Sequence, residues 1–244
     1  MHAVSEDSGG ALRDWSETIV DTPHGPIREF GPRASLSDHA TRFMIEHIRV
    51  PDGAKAAEAG CGTGVLSIYM AMAGVRHAVG TDIDEGSLAA ARHNAMVNDV
   101  TGVEFIQGSL LDPVQGPLDL VVALLPHKPA PRPFNRRYYG GPDGTDLLLA
   151  LIEQAAHKVL SGGRLYLYLN SIANPFRVVA ALDARFLVHL TGEKKRYFTR
   201  KEFDDLTPGM FDYLGDLRKK GMAEFDEDGS GPYFMARIYE AVRR

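Results

Sequence analysis

The sequence predicts an α/β fold in which a mostly parallel sheet ends in an antiparallel edge strand and carries helices on both faces. Three observations favour this class. From residue 54 onward, short apolar segments alternate with segments of helical periodicity, and a Gly-rich turn follows the first apolar segment. Two apolar segments near the end of the chain have no compact crossover helix between them, which is typical of an antiparallel pair.

The first half of the predicted sheet alternates between strand and helix. Residues 54–59 are an apolar run that ends at Gly60, and apolar side chains recur at helical spacing through residues 63–73. The run LDLVVA at residues 118–123 is almost entirely apolar, as expected of a strand buried on both faces of a parallel sheet. The other elements of this half are strands at residues 77–81 and 103–107 and a helix at residues 85–98.

The second half begins with an amphipathic helix at residues 143–160, followed by Ser161-Gly162-Gly163, a glycine stop typical of helix C-termini. We expect residues 1–53 to form a lid or leading helix ahead of one domain at residues 54–244. The charged segment at residues 199–222 is predicted to be an insertion between the last two strands. The remaining predicted elements are strands at residues 164–170, 186–191 and 232–240 and a helix at residues 174–184.

The composition is that of an ordinary folded domain, with 24% charged and 44% apolar residues among 244. The net charge of −5 disfavours nonspecific nucleic-acid binding, so no nucleic-acid partner is expected. Cys61 is the only cysteine and the histidines show no metal-binding spacing, so neither a disulfide nor a metal site is expected. No apolar run approaches the ~18 residues of a bilayer span, and the first residues lack a signal-peptide pattern. We therefore expect no membrane partner and a cytoplasmic location.

The segment EAGCGTG at residues 58–64 carries the strongest functional signal. It follows a predicted strand and opens a predicted helix, which is where α/β folds bind extended ligands. Its three glycines let a ligand approach the backbone because no Cβ stands in the way. A dinucleotide fingerprint needs its third glycine one position later, where the chain has Val65, so the spacing disfavours a nicotinamide cofactor. An ordinary Gly-rich turn is the alternative interpretation.

An acidic residue ends the next predicted strand. Asp82 lies about 20 residues beyond the glycines, where a carboxylate in a nucleotide-binding fold accepts hydrogen bonds from ribose hydroxyls. The alternative is an acid in the first turn of a helix, where it complements the helix dipole, and this role suits Asp84 better. Asp82 is therefore the predicted ribose ligand.

Five segments resemble, in order and spacing, the successive motifs of class I S-adenosylmethionine-dependent methyltransferases. The resemblance covers about residues 54–170 and implies a Rossmann-like seven-stranded methyltransferase sheet. It also implies S-adenosylmethionine as the methyl donor and S-adenosylhomocysteine as the product. The segments are EAGCGTGVLSIYMA, VGTDIDEGSLAAARHNA, VEFIQGSLLD, LDLVVALLP and LSGGRLYLYL.

The same resemblance implies roles for individual residues. Glu58 matches the motif acid near the methionine amino group, and Asp82 matches the ribose ligand. Ile83 would pack on the adenine, and Ser109 stands where many members carry an acid beside the adenine amino group. The backbone around the cofactor would be formed by Gly60, Cys61, Gly62, Gly64 and Leu124.

Within this class, the segments FGPRASLSDHATRFMIEHI and GGPDGTDLL resemble the HemK-type release-factor glutamine methyltransferases. That group carries Asn-Pro-Pro-Tyr at the end of the fourth strand, where the aligned residues here are Leu124, Leu125, Pro126 and His127. It also carries an N-terminal helical domain that about 50 leading residues cannot reproduce. A HemK-like enzyme that methylates a glutamine side chain of a protein is therefore an alternative.

The missing Asn-Pro-Pro-Tyr changes the expected acceptor. Its carbonyls accept the protons of a planar nitrogen while its aromatic ring stacks on that group, whereas Leu124 accepts no side-chain hydrogen bond. Methyl transfer from a sulfonium needs chiefly in-line positioning. We predict transfer to an oxygen or nitrogen of a small, anionic metabolite, so that the partner is a small molecule. A catalytically silent module that binds S-adenosylmethionine and regulates a partner is a hypothesis of another class.

The residues after the fourth strand are the candidates for acceptor binding. His127 follows the strand end, where its imidazole is predicted either to act as a general base or to shape the pocket. A basic and aromatic run follows, which suits a carboxylate or phosphate on the acceptor, with a solvated loop as the alternative. It consists of Arg136, Arg137, Tyr138 and Tyr139.

Overall fold

The computed structural model describes residues 15–244. The predicted leading segment contains a two-stranded antiparallel hairpin, β1 (Trp15–Val20) and β2 (Ile27–Pro32), followed by a short 3-10 turn and helix α1 (His39–His47). The part of this segment before residue 15 lies outside the described residues. Helix α1 begins where the Asp38 side chain accepts a hydrogen bond from the Ala40 amide, which satisfies one free donor of the first turn.

The rest of the described chain forms one large sheet and six further helices. The strands are β3 (Lys55–Ala59), β4 (His77–Asp82), β5 (Val103–Gln107), β6 (Leu118–Ala123), β7 (Val159–Asn170), β8 (Phe186–Tyr197), β9 (Asp226–Asp228) and β10 (Gly231–Arg243). The helices are α2 (Val65–Met72), α3 (Glu85–Val97), α4 (Asp146–Lys158), α5 (Pro175–Asp183), α6 (Arg200–Asp204) and α7 (Met210–Lys219).

The strand order is β5-β4-β3-β6-β7-β10-β8, and β9 pairs with β10. The first five strands in this order are parallel, while β10 is antiparallel to both β7 and β8. The predicted α/β class is confirmed, with two differences in detail. The sheet has eight strands within residues 15–244 because the short β9 was not predicted, and the antiparallel strand lies one position inside the edge.

Alternate residues of the central strands supply two separate apolar layers. Ala56 and Val122 face the layer that also contains α1, α2 and α3, whereas Ala57 and Val121 face α4 and α5. This alternation follows from the two-residue period of a strand, and it explains why the central strands are apolar throughout. Within residues 15–244, no helix combines the length and the apolar character that crossing a bilayer requires.

The predicted glycine stop after the long helix is wrong in position. Helix α4 ends at Lys158, and Ser161, Gly162 and Gly163 lie inside β7. The pairing with β6 shifts here, since Val159 pairs with Leu118 whereas the next paired residue, Arg164, faces Leu120. The glycines therefore form a bulge in the strand instead of a helix cap.

The segment at residues 199–222 contains α6 and α7, which pack over the ends of β8 and β10. Its apolar side chains form a third cluster with Phe198 of the adjoining segment and Phe234 of β10. Phe203 is fully buried in this cluster and also reaches the cavity described next. The segment therefore forms one wall of that cavity.

Candidate cofactor and acceptor site

A cavity of about 590 Å³ lies at the carboxyl ends of β3, β4, β6 and β7, which is where open α/β sheets bind ligands. It brings together most of the residues that the sequence predicted. From the cofactor set, the lining includes Glu58, Gly60, Cys61, Gly62, Asp82, Ile83, Ser109 and Leu124. From the acceptor set, it includes His127, Arg136, Arg137 and Tyr138. Gly64 and Tyr139 lie outside the lining.

The glycine loop shapes the floor of the cavity. Gly62 has φ of +52°, and a Cβ at this position would meet no atom within 4 Å, so the backbone faces open space. Gly64 has φ of +83°, and a Cβ there would lie 2.8 Å from Ala91 Cβ and 2.9 Å from the Phe105 ring. Gly62 is thus suited to close approach of a ligand, while Gly64 lets helix α2 pack against α3.

Asp82 is held rigidly at the end of β4. Its Oδ2 accepts a hydrogen bond from the Gly62 amide and its Oδ1 accepts one from the Asp84 amide, both at 2.9 Å. Each carboxylate oxygen keeps a second acceptor site. Asp84 instead caps α3, because its Oδ2 accepts from the amide and the hydroxyl of Ser87. The hydrogen bond from the Ser87 side chain lowers the pKa of Asp84.

Glu58 lies buried at the end of β3. Burial raises the pKa of this carboxyl to about 8, and the nearby charge of Asp82 acts in the same direction. The Ser67 hydroxyl donates to Glu58 Oε2 at 2.5 Å, which opposes the shift without cancelling it. A buried acid with one hydrogen-bond partner is suited to a cationic ligand group, which would favour its charged form.

These residues fit S-adenosylmethionine, because its ribose, ammonium and adenine each have a matching group in the cavity. The Gly62 backbone faces open space, the Asp82 carboxylate has free acceptor sites for two ribose hydroxyls, and Glu58 is suited to the ammonium. Ile83 is 55% exposed at the cavity edge and presents an apolar surface of the kind that an adenine ring covers.

His127 has both ring nitrogens engaged by the backbone. Its Nδ1 lies 2.6 Å from the Leu125 carbonyl oxygen and its Nε2 lies 3.1 Å from the Asn170 nitrogen. A carbonyl can only accept and an amide N–H can only donate, so the ring is neutral with its proton on Nδ1. Burial lowers its pKa to about 4. This geometry favours the alternative in which His127 shapes the pocket, because no lone pair is left to accept a proton.

The two predicted acceptor arginines are engaged elsewhere. Arg136 forms an ion pair with Asp84, and Arg137 donates to the Ser35 hydroxyl. Both contacts hold the loop after β6 across the mouth of the cavity, so these side chains bridge the loop to α3 and to the leading segment.

The leading segment also forms part of the site. Glu29 of β2 is fully buried and accepts a hydrogen bond from Thr63 Oγ1 at 2.5 Å and from the Ser37 amide at 2.9 Å. Burial raises the pKa of Glu29. These contacts tie the hairpin to the glycine loop and place Asp38 and His39 in the cavity lining.

Sequence reasoning missed the residues of the cavity that lie farthest from the glycine loop. Lys128 is half-buried, with its Nζ 5.1 Å from the ring centres of both Tyr138 and Phe203. Burial lowers the pKa of Lys128. Asn170, at the end of β7, is 8% exposed and also lines the cavity. A polar residue ending a predicted strand was the signal for Asn170, whereas no local pattern marks Lys128.

The chain is similar to known methyltransferases in sequence. The family model of the methyltransferase small domain matches residues 34–198. A ribosomal protein L11 methyltransferase of Clostridium botulinum (strain Eklund 17B / Type B) is 39% identical over 85 residues, covering 34% of this chain and 27% of that protein. A release factor glutamine methyltransferase of Deinococcus radiodurans is 33% identical over 181 residues, covering 70% of this chain and 61% of that protein. The chain thus spans less than two thirds of either relative.

Solved structures share the fold at low sequence identity. A T. thermophilus 16S rRNA methyltransferase, in complex with AdoMet and guanosine, has a TM-score of 0.59 at 14% identity and covers 94% of this chain and 51% of its own. The YcgJ protein of a Bacillus species has a TM-score of 0.57 at 12% identity and covers 84% of this chain and 99% of its own. Both likenesses support the predicted fold class.

Proposed function

Because the chain belongs to the methyltransferase small domain family, we propose that it transfers the methyl group of S-adenosylmethionine to a small, anionic acceptor. Family membership confirms the predicted class of this domain, an S-adenosylmethionine-dependent methyltransferase, and with it the predicted cofactor. The acceptor is the new part of the proposal. The relatives' names refer to ribosomal protein L11, a release factor and 16S rRNA, so they support neither a small acceptor nor the exclusion of nucleic acid.

The observation that carries this proposal is an unpaired cation in the cavity. Four lysine and arginine side chains line it. Arg136 and Arg196 form ion pairs with Asp84 and Glu202, the latter at 2.9 Å, while Arg137 donates to the neutral Ser35 hydroxyl. Lys128 has no hydrogen bond or ion pair from its ammonium group within residues 15–244. The carboxylates of Glu202 and Asp38 attract this ammonium, but neither reaches it with a hydrogen bond, and burial lowers the pKa of Lys128. A carboxylate or phosphate on the acceptor, in direct contact, would offset the cost of this desolvation.

Two aromatic rings lie beside this cation. The rings of Tyr138 and Phe203 flank the Lys128 ammonium and shield it from water on two sides. Low local polarity strengthens the attraction between the ammonium and an acceptor anion. In this proposal Lys128 is the anion-binding residue in place of the ion-paired Arg136, and Arg137, which has no counter-ion within residues 15–244, lines the same cavity.

When bound, S-adenosylmethionine supplies an electrophilic methyl group on a sulfonium. Asp82 and Glu58, at the ends of β4 and β3, would hold its ribose and its ammonium. Lys128, from the loop after β6, would hold the acceptor anion. Catalysis then arises mainly from proximity and alignment, since transfer to an unprotonated nucleophile needs no strong base.

The test is incubation of cell extract with methyl-labelled cofactor, followed by separation of small molecules, protein and RNA. We expect label in the anionic small-molecule fraction. Lys128→Gln should raise KM for that fraction by about 10–100-fold, the loss of one charge-assisted hydrogen bond, while the Kd of the cofactor is unchanged. Lys219→Gln, on an exposed turn of α7, is the matched control and should behave like the wild type.

Two results would contradict the proposal. Label confined to protein or RNA would show a macromolecular acceptor, as in the relatives' names. A higher cofactor Kd in Lys128→Gln, with KM for the acceptor unchanged, would place the ammonium on the cofactor carboxylate. An absence of label from all three fractions would favour the silent regulatory module.

A further inference from the structure

Asn170 is the one polar side chain of the cavity whose buried oxygen lacks a partner. Its Oδ1 has no hydrogen-bond partner within residues 15–244, and no other side-chain oxygen or nitrogen buried to the same extent shares this property there. An unsatisfied buried carbonyl costs about 1–3 kcal/mol. Such a group in a ligand cavity calls for a functional explanation.

The backbone holds Asn170 in one place. Its amide donates to His127 Nε2, its carbonyl oxygen accepts from the Ala173 amide at 2.9 Å, and its Cα pairs with Ala236 of β10. The neutral His127 ring therefore joins the end of β6 to the end of β7. The carboxamide oxygen of Asn170 is the part that lacks a partner within residues 15–244, and the residue lines the cavity.

The end of the neighbouring strand β6 determines which other hydrogen-bond acceptors lie near the Asn170 carbonyl. Strands β6 and β7 are adjacent and parallel, so residues just beyond Ala123 lie close to Asn170. Leu124 in that position has no side-chain acceptor, and the Leu125 carbonyl already accepts from His127. The Asn170 carboxamide is thus the side-chain carbonyl acceptor at this end of the cavity, beside the backbone carbonyls of the β6 end.

We propose that Asn170 is a specificity-determining residue that accepts a hydrogen bond from an N–H of the methyl acceptor, and that this nitrogen is the atom methylated; a hydroxyl acceptor would satisfy the same oxygen, so the first experiment separates the two. The inference rests on the proposed function, and with Lys128 it defines the acceptor as a small molecule that carries both an acid group and an N–H-bearing nitrogen. A carboxylate oxygen as acceptor atom offers no proton to Asn170. It would leave the buried carbonyl unsatisfied.

The transfer balances without an added base. The nitrogen lone pair forms the new N–C bond, the C–S bond breaks with its electron pair going to sulfur, and the surplus proton of the product ammonium leaves to solvent. A hydrogen bond from the N–H to Asn170 Oδ1 orients the lone pair away from the carboxamide. His127, with both nitrogens engaged, takes no part in the proton transfer.

The first experiment identifies the methylated atom. The labelled small-molecule fraction is treated with alkali, which releases methanol from methyl esters, and its labelled compounds are analysed by mass spectrometry. We expect N-methyl products that resist alkali. Methyl esters would overturn the role of Asn170, and methyl ethers would overturn the nitrogen assignment, while both leave the anionic acceptor intact. Label in protein or RNA alone would overturn the proposed function together with the small-molecule part of this inference.

The second experiment uses the isosteric variant Asn170→Leu. Turnover, measured as kcat/KM on the labelled pool, should fall by at least about 10-fold with an unchanged cofactor Kd, and Asn170→Asp, which keeps a carbonyl-type acceptor, should restore part of it. Because the leucine removes an unsatisfied buried oxygen, the Tm without ligands should stay the same or rise. Turnover within twofold of the wild type would overturn the proposal.

Asn174 provides the matched control. It is also 8% exposed, but its carboxamide is satisfied, donating to Asp143 Oδ2 at 2.8 Å and accepting from the Arg177 amide at the start of α5. Asn174→Leu should therefore lower the Tm. A drop of similar size in Asn170→Leu would show that Asn170 is merely structural.

Discussion

At the scale of single residues, Glu58 links the chemistry of the cofactor to proton binding. With a pKa raised to about 8 by burial, Glu58 is mostly protonated at neutral pH in the absence of ligand. An ammonium placed beside it favours the carboxylate, so binding of the cofactor should release a proton. The same burial that makes Glu58 costly to ionise makes its ionised form a strong partner for a cation.

We therefore predict that cofactor affinity depends on pH through Glu58. Below pH 8 the proton must leave on binding, so affinity should increase as pH rises toward 8 and level off above it. Calorimetry in two buffers of different ionisation enthalpy measures the released protons. The amine of the cofactor contributes the same proton release in the wild type and in the Glu58→Gln variant. The difference in released protons between the two proteins therefore measures the contribution of Glu58. Identical pH profiles would refute the assignment.

The site residues divide by how local their signals are. Gly62 and Asp82 could be predicted because a glycine loop and a strand-end acid lie at fixed spacing in the sequence. The hydrogen bond from the Asn170 amide to His127 joins residues 43 positions apart. The surroundings of the Lys128 ammonium are set by side chains that are distant in sequence, such as Phe203. No pattern along the chain carries that information, so the candidate acceptor-binding residues could be identified only from the structure.

At the scale of elements, two arginine contacts at the mouth of the cavity hold the loop after β6. Arg136 reaches Asp84 at the start of α3, and Arg137 reaches Ser35 ahead of α1. The Arg136 side chain is 65% exposed, so solvent screens its ion pair and the contribution is limited to about 1 kcal/mol. Since Asp84 follows Asp82, the predicted ribose ligand, by two residues, the loop lies beside the predicted cofactor position.

We expect the double variant Arg136→Gln, Arg137→Gln to release the cofactor about 2–10-fold faster, because the loop loses its contacts with Asp84 and Ser35. The effect should shrink at high salt, which already screens the ion pair. Stopped-flow displacement of the bound cofactor measures the rate. Arg132→Gln, in the same loop and without an ion pair in the described part of the chain, is the control. A raised KM for the acceptor with an unchanged cofactor release rate would instead restore the acceptor-binding role predicted from the sequence.

The elements that could be predicted are those whose burial shows in their composition. Strands β5 and β6 have the predicted bounds because both are short runs between turn residues. Strand β5 contains residues that favour strands, and β6 is almost entirely apolar. The hairpin β1–β2 was not predicted, because its partly exposed strands mix charged and apolar residues and one of its buried side chains is Glu29. The bulge in β7 depends on pairing with β6, which sequence spacing does not reveal.

At the scale of the whole molecule, two buried groups give the stability opposite dependences on pH. The pKa of Glu58 is raised from 4.5 to about 8, so the unfolded chain loses this proton first and stability falls as pH rises from 4.5 to 8. The pKa of His127 is lowered from 6.5 to about 4, so the unfolded chain binds this proton first and stability rises as pH rises from 4 to 6.5. Each contributes up to about 1.4 kcal/mol per pH unit in its window.

The Glu58 and His127 slopes oppose each other between pH 4.5 and 6.5, where Glu29, with a raised pKa, and His39, with a lowered pKa, act in the same two directions. We predict that the free energy of unfolding without ligands decreases more steeply between pH 6.5 and 8 than between pH 4.5 and 6.5, as measured by urea denaturation at pH 5, 6.5 and 7.5. Glu58→Gln should make the decrease above pH 6.5 shallower. His127→Gln should extend it down to about pH 4.5, because the opposing slope is gone. A stability that rises between pH 6.5 and 8 in the wild type would show that Glu58 is already ionised in the folded protein, and the proton release expected on cofactor binding would then vanish as well.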